Sequence, residues 1–195
     1  YRRRAFAWRG PPHPFAQLRL PLPDGGSAFR SPVAGALHSL VADHVVQGRV
    51  IFPGAGYLEM ARTAAAAAAG EALHGVFFVR PLAVEAVDVL ECAVAAGRFE
   101  VRSGEAAADA ALADAAVHCS GSLAADAGGT RQRFEHALLR GGCAHAALAA
   151  ALYAGFDAVG LQYGPGYRTL VEAWGGGGVA AARLQARSAA HGTRV

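Results

Sequence analysis

The stretch HVVQGRVIFPGAGYLEMA, residues 44–61, places a His, a Gly and a Pro directly before a run rich in alanine. After Pro53, apolar residues recur at helical spacing from Leu58 to Ala68, which predicts a helix over 54–70. Proline is common at the start of a helix because the N–H it lacks would be unpaired there. Small alanine side chains let a sheet lie close to such a helix. This stretch therefore predicts a buried central helix.

Apolar runs on both sides of this helix predict strands and further helices. A strand at 18–22 precedes a hairpin over 37–52 whose turn is Gln47-Gly48. The strands predicted after the helix are 76–85, 87–94, 98–103 and 116–124, and the later elements are helices over 143–158 and 166–174, a turn at 175–178 and a strand from Val179. One long helix followed by successive antiparallel strands predicts an α+β fold in which a sheet wraps around that helix.

The composition indicates a folded chain of one to one and a half domains. It has 195 residues, of which 53% are hydrophobic and 17% charged, and its formal net charge is only +3. The arginines are scattered, so a nucleic-acid surface is not expected. Three cysteines without a CxxC pair predict reduced thiols in the cytoplasm, and neither a metal site nor a membrane span is expected.

His44 is the candidate catalytic group of the opening stretch. The backbone N–H groups at the start of the helix, near Gly54 and Gly56, are suited to hold a developing negative oxygen. A neutral histidine beside such donors has the parts needed to abstract a proton next to a carbonyl. The alternative is an ordinary hydrogen-bonded histidine near a turn, and the spacing alone does not decide between them.

Two motifs resemble those of a known family. His44-x3-Gly48-x4-Pro53 resembles the HxxxGxxxxP motif of the dehydratase domains of modular polyketide synthases and animal-type fatty acid synthases. The block LQYGPGY, residues 161–167, resembles the YGPxF motif of the same domains, with Tyr167 in place of Phe. The opening YRRRAFAW is similar to the linker that enters these domains from the acyltransferase side.

The resemblance implies a double hotdog fold, in which two helix-in-sheet units lie side by side. Such dehydratases remove water from a 3-hydroxyacyl group carried on the phosphopantetheine arm of an acyl carrier protein, and they bind no cofactor directly. Carried over to this chain, His44 is the base that abstracts the C2 proton. The resemblance also implies residues for substrate binding. Gly48 and Pro53 shape the loop, and the amide of Gly54 polarises the thioester carbonyl. Tyr163, Gly164 and Pro165 line the tunnel or form a structural turn.

The same resemblance implies a domain organisation. Residues 1–12 are expected to be an interdomain linker, residues 13–140 the N-terminal hotdog, and residues 141–195 the inter-hotdog linker with the beginning of the C-terminal hotdog. The expected partners are an acyl carrier protein and the other domains of the same synthase, with a homodimer formed through the parent protein.

The sequence also departs from the family pattern. The partner Asp of these dehydratases lies in a DxxxQ or DxxxH segment, whereas no Asp follows Tyr167 here and the only acid is Glu172, in a predicted helix. Asp43 adjoins His44, but neighbours on a strand face opposite sides. We therefore expect a truncated domain that is inactive alone. The alternatives are a product-template or cyclase-like double hotdog, which uses the same His for aldol cyclisation, and a non-catalytic structural module.

Overall fold

The computed structural model describes residues 13–66, 71–105, 112, 115–125 and 135–187. The strands are β1 Leu18–Pro21, β2 Ser27–Pro32, β3 His44–Val46, β4 Arg49–Val50, β5 Glu71–Phe78, β6 Val89–Ala95, β7 Arg98–Gly104, β8 Ala116–Ala125, β9 His145–Ala147, β10 Leu161–Tyr163, β11 Leu170–Gly176 and β12 Val179–Leu184. The helices are α1 Ala36–Val41, α2 Gly54–Ala66, α3 His136–Gly141 and α4 Ala149–Ala158, with 3₁₀ turns at Val84–Ala86 and Pro165–Tyr167. The predicted linker at 1–12 and the predicted helix end at 67–70 lie outside the described residues.

These residues group into two units. Among the described residues, the first unit takes 13–38 and 52–125, and the second takes 39–51 and 135–187. The second unit thus combines the stretch that contains His44 with the stretch that contains the YGPGY block. The hotdog boundaries 13–140 and 141–195 stay a prediction.

The first unit is a six-stranded antiparallel sheet with a helix against it. The strand order is β1-β2-β6-β7-β8-β5, and each neighbouring pair is antiparallel. Helix α2 contacts β5, β6 and β7. The predicted α+β hotdog architecture, an antiparallel sheet around a central helix, is therefore confirmed.

The buried side of α2 explains why this helix is rich in alanine. Tyr57, Met60, Ala61, Ala64 and Ala65 are at most 3% exposed, and their spacing places them on one face of the helix. The most deeply buried apolar side chains of the sheet, each at most 1% exposed, include Leu90, Cys92, Phe99, Val101 and Cys119. The alanines of this face leave room for larger side chains from the strands that α2 contacts, so the helix and the sheet share one apolar core.

The second unit contains two small sheets. Strands β10, β3 and β4 form one in that order, and strands β12, β11 and β9 form the other. Helix α4 contacts β10 and β11, and helix α3 contacts β12. The predicted turn at Gln47-Gly48 joins β3 to β4 as expected. None of the described side chains between residues 135 and 187 is fully buried.

The predicted helix over 166–174 is wrong. A 3₁₀ turn ends at Tyr167, and Leu170–Gly176 form strand β11, which pairs with β12 on one side and with β9 on the other. Backbone pairing on both edges outweighs the local helical pattern, which carries only weak information in a short segment. Glu172 consequently lies on a strand.

Three other element predictions need correction. The helix predicted over 143–158 begins only at Ala149, because residues 145–147 pair with β11 as a strand. The strand predicted at 76–85 runs instead from Glu71 to Phe78, before Pro81, which has no N–H to give to a ladder. The first part of the predicted 37–52 hairpin is helix α1. Among the described residues, no helix has the length and apolar character needed to cross a lipid bilayer.

Candidate active site

A tight hairpin fixes the backbone around His44. Strand β3 pairs with β4, and the two turn residues, Gln47 and Gly48, have positive φ angles of 50° and 75°. Two consecutive left-handed residues give the kind of turn whose twist matches an antiparallel hairpin, and glycine adopts this conformation without a steric penalty. The N–H of Ile51 closes the hairpin by donating to the carbonyl oxygen of His44 at 3.1 Å. Gly48 therefore shapes the loop that carries the histidine.

The imidazole of His44 is held in one tautomer. Its Nδ1 lies 2.7 Å from the backbone oxygen of Ile51. A carbonyl oxygen can only accept a hydrogen bond, so Nδ1 carries a proton, and in the neutral imidazole Nε2 is the nitrogen with the lone pair. The side chain is half-buried, and no group within the described ranges donates to Nε2. The imidazole of His44 is thus oriented with Nε2 as its acceptor nitrogen.

Two tyrosines flank the imidazole. Tyr163 lies directly opposite His44 in the β10–β3 ladder, and their ring centroids are 5.4 Å apart. The ring of Tyr167 is 5.2 Å from that of His44. Burial raises the pKa of Tyr167, and the Arg187 guanidinium opposes this rise only in part, so the phenol stays protonated near neutral pH. His44 therefore lies beside two aromatic side chains from the YGPGY block.

Backbone and side-chain hydrogen bonds hold the hairpin against β10. The N–H of Gly48 donates to Oε1 of Gln162 at 2.8 Å, and the N–H of Gln47 donates to the carbonyl oxygen of Gly160 at 2.7 Å. These contacts fix the register that places Tyr163 opposite His44. The structure thereby brings His44, Gly48, Tyr163 and the turn that follows β10 into one place, although more than a hundred residues separate the two motifs.

Pro53 and Gly54 belong to the first unit. The carbonyl oxygen of Pro53 accepts the N–H of Gly56 at 2.8 Å, and Gly54 is the first residue of α2. The N–H groups of a first helical turn have no partner within the helix. A Cβ on Gly56 would lie 2.8 Å from the Phe52 ring, so glycine is needed there. The roles of Pro53 and Gly54 towards a substrate stay predictions.

Both candidate acids are engaged by other groups of the chain. The Oδ2 atom of Asp43 accepts the N–H of Gly166 at 2.6 Å. Glu172 pairs with Arg183 at 2.7 Å, and the hydrogen bond from that guanidinium lowers the pKa of Glu172. A carboxyl group with a lowered pKa is ionised at neutral pH and holds no proton to give. Among the described residues, His44 is therefore not paired with either of these carboxyl groups.

Three contributors to this site are not evident from side-chain motifs. Ile51 orients the imidazole of His44 through its backbone oxygen, which every residue type has. Asp43 contacts the YGPGY block, and the only sequence signal for this is the pair of glycines at 164 and 166, which indicates close approach of another group. Arg187 lies over the Tyr167 ring with its guanidinium carbon 4.5 Å from the centroid. Nothing in its sequence neighbourhood predicts that contact.

Family models match most of the chain. A model described as polyketide synthase dehydratase domain matches residues 13–108, and one described as polyketide synthase dehydratase N-terminal domain matches residues 131–194. Together the two matched segments cover well over half of the 195 residues. The chain belongs to the dehydratase domain family of polyketide synthases.

Named relatives agree with this assignment. Polyketide synthase ThaG of Burkholderia thailandensis is 33% identical over 216 residues, which cover 90% of this chain but only 4% of ThaG. A trans-AT polyketide synthase dehydratase domain from Brevibacillus brevis has a TM-score of 0.81 at 23% identity, covering 95% of this chain and 68% of that one. CurK dehydratase, solved as inactive His→Phe and Asp→Asn mutants, gives TM-scores of 0.77 and 0.74 at 20% identity, covering 90% of this chain and 64% of those. These structural likenesses establish the fold.

Proposed function

We propose that this chain supplies the general base of a 3-hydroxyacyl thioester dehydratase. The observation that carries the proposal is the orientation of His44: Nδ1–H is bound by the carbonyl oxygen of Ile51, which leaves Nε2 as the basic nitrogen. The flanking rings of Tyr163 and Tyr167 provide a largely apolar wall beside it. Such surroundings are suited to a base that removes a proton from a carbon atom.

The proposed reaction is an elimination. Nε2 of His44 takes the C2 proton, the released electron pair forms the C2=C3 double bond, and the C3–OH bond breaks with its electrons on oxygen. That oxygen takes a proton from an acid and leaves as water, giving the enoyl thioester. The inactive His→Phe and Asp→Asn forms of CurK dehydratase indicate that a dehydratase of this fold depends on one residue of each type.

The acid of this reaction is not matched to a residue of the present chain. Its sequence has no Asp after Asp157, and Glu172 is bound to Arg183. We therefore expect residues 1–195 by themselves not to release water, and we expect activity when a segment with the DxxxQ or DxxxH pattern of the family is joined to them. General acid catalysis is typically worth about 10²- to 10⁴-fold in rate.

The substrate is proposed to arrive on the phosphopantetheine arm of an acyl carrier protein within the same cytoplasmic synthase. Gly48 would act through the hairpin shape, and Tyr163, Gly164 and Pro165 would line the path of the acyl chain beside His44. Gly54 keeps its proposed role of polarising the thioester carbonyl, through a backbone N–H at the start of α2. These assignments rest on the matched motifs.

The test is a dehydration assay on a dehydratase that contains this chain followed by a DxxxQ segment. A 3-hydroxybutyryl carrier protein is incubated with the enzyme, and loss of one water is followed by intact-protein mass spectrometry. His44→Ala is expected to slow the reaction by roughly 10²- to 10⁴-fold. His145→Ala, which changes an exposed histidine on β9, serves as the matched control and should keep the activity.

Three outcomes would contradict the proposal. Full activity of His44→Ala would show that another group is the base. A cyclised product from a polyketide thioester, formed without an enoyl intermediate, would favour a product-template or cyclase-like enzyme. Absence of any reaction in the joined protein, despite a folded structure, would favour a structural module.

A further inference from the structure

Asp43 is bound to the YGPGY block through two hydrogen bonds. Its backbone oxygen accepts the N–H of Gly164 at 2.8 Å, and its Oδ2 accepts the N–H of Gly166 at 2.6 Å. Both the main chain and the side chain of one residue therefore hold the same short segment. We call these two bonds the Asp43 contacts.

The two glycines are required because the carboxylate occupies the space next to them. A Cβ on Gly166 would lie 2.6 Å from Oδ2 of Asp43, and a Cβ on Gly164 would lie 2.6 Å from its Cγ. Real Cβ atoms do not approach other atoms this closely. The glycines of the YGPGY block thus permit the N–H of Gly166 to reach the carboxylate of Asp43, and the N–H of Gly164 to reach its backbone oxygen, where a larger residue would displace the carboxylate.

The Asp43 contacts join the base to its aromatic neighbours. Asp43 directly precedes His44 in the chain, and the segment it holds carries Tyr163 and Tyr167, whose rings flank the imidazole. Arg187 supports the same arrangement, since it lies over the Tyr167 ring and its Nη2 donates to the carbonyl oxygen of Leu40 at 2.7 Å. Loss of the bond from Oδ2 of Asp43 to Gly166 would free Tyr167 to move relative to the base.

We propose that Asp43 is a positioning residue for His44, which fixes Tyr163 and Tyr167 beside the imidazole through Gly164 and Gly166. The proposal rests on the proposed function of His44 as the base. In this proposal Asp43 transfers no proton, and its Oδ2 serves as the acceptor for the N–H of Gly166. Its effect is on the geometry of the site.

The first test measures the surroundings of His44 without any substrate. The ring protons of His44, observed by NMR of the 195-residue chain labelled at histidine, sense the ring currents of the two tyrosines. Asp43→Ala should move these resonances towards those of a free histidine. Asp43→Asn, whose side-chain oxygen still accepts from Gly166, should largely restore them, and Asp157→Ala, at an exposed carboxylate of α4, should leave them unchanged.

Unchanged His44 resonances in a folded Asp43→Ala protein would overturn the proposal. Asp43→Ser is prepared in parallel in case the alanine variant does not fold. Its hydroxyl keeps the position polar but is one bond too short to reach the N–H of Gly166, so it should shift the resonances as alanine does.

The second test asks whether the carboxylate is the reason for glycine at position 166. Gly166→Ala should lower the urea midpoint of unfolding in the native background, where the new Cβ meets Oδ2 of Asp43. In the Asp43→Ala background the same substitution should have much less effect, because the closest obstacle, Oδ2 of Asp43, is gone and the next atom is Nη2 of the flexible Arg187 side chain, at 3.4 Å. Additive effects of the two substitutions would show that the residues are not coupled, and would overturn the proposal.

The third test concerns catalysis in the joined dehydratase described above. Asp43→Ala should lower kcat by up to roughly 100-fold, because small displacements of a catalytic group have effects of that size, while KM changes little. Asp43→Asn should recover most of the rate. An unchanged kcat in Asp43→Ala, with His44→Ala inactive, would overturn the positioning role alone. An active His44→Ala variant would refute the proposed function. The NMR and urea tests, which need no substrate, would still show whether the Asp43 contacts position the tyrosines.

Discussion

Replacement of Tyr57 by Phe should stabilise the first unit. Tyr57 is 3% exposed, and its hydroxyl oxygen is buried without a hydrogen-bond partner among the described residues. Its ring lies 4.7 Å from that of Phe52, a contact that phenylalanine keeps. A buried polar group without a partner costs about 1–3 kcal/mol, and Tyr57→Phe removes only that group. We therefore expect the free energy of unfolding to rise by about 1–2 kcal/mol.

The measurement is urea unfolding of the native and substituted chains, followed by circular dichroism. The midpoint should rise with an unchanged slope, because the surface exposed on unfolding is nearly the same. In a chain of this size, each 1 kcal/mol also raises Tm by about 2–4 °C. Tyr153→Phe is the control, since the Tyr153 hydroxyl accepts the N–H of Leu170 at 2.9 Å and its loss should destabilise the protein. A lower midpoint for Tyr57→Phe would refute the reasoning and show that the hydroxyl has a partner.

Three further predictions follow from other buried groups. Glu91→Gln should lower the free energy of unfolding, measured by urea titration, by roughly 3 kcal/mol. The Glu91 carboxylate is only 1% exposed and accepts hydrogen bonds from two arginines. A change below about 1 kcal/mol would contradict this prediction. Burial lowers the pKa of His118, so the unfolded chain binds more protons, and stability should fall as the pH drops below about 6.5; His118→Gln should weaken this dependence. Cys143 should be alkylated in the native protein near neutral pH. Cys92 and Cys119 should react only after denaturation, because burial raises their pKa values to about 12 and about 11. The number of alkylated thiols is counted by mass spectrometry.

Much of the first unit could be predicted from sequence, because its elements have strong local patterns. The central helix follows Pro53 and keeps small residues on its buried face. Strand β6 is mostly apolar, and strand β7 alternates buried apolar residues with more exposed polar ones around Phe99. The segment from Leu170 to Gly176 could not be predicted in this way. Its backbone partners lie on β9 and β12, and a local pattern contains no information about them.

The sequence alone identified His44, Gly48 and the YGPGY block, since these motifs keep their spacing whatever the fold does around them. It did not determine which nitrogen of His44 is basic, because that depends on the carbonyl oxygen of Ile51. Nor did it show that Asp43 holds Gly166, a contact across 123 positions of the chain. Motifs record which side chains are present, whereas tautomer, orientation and close backbone approach depend on groups that only folding brings together.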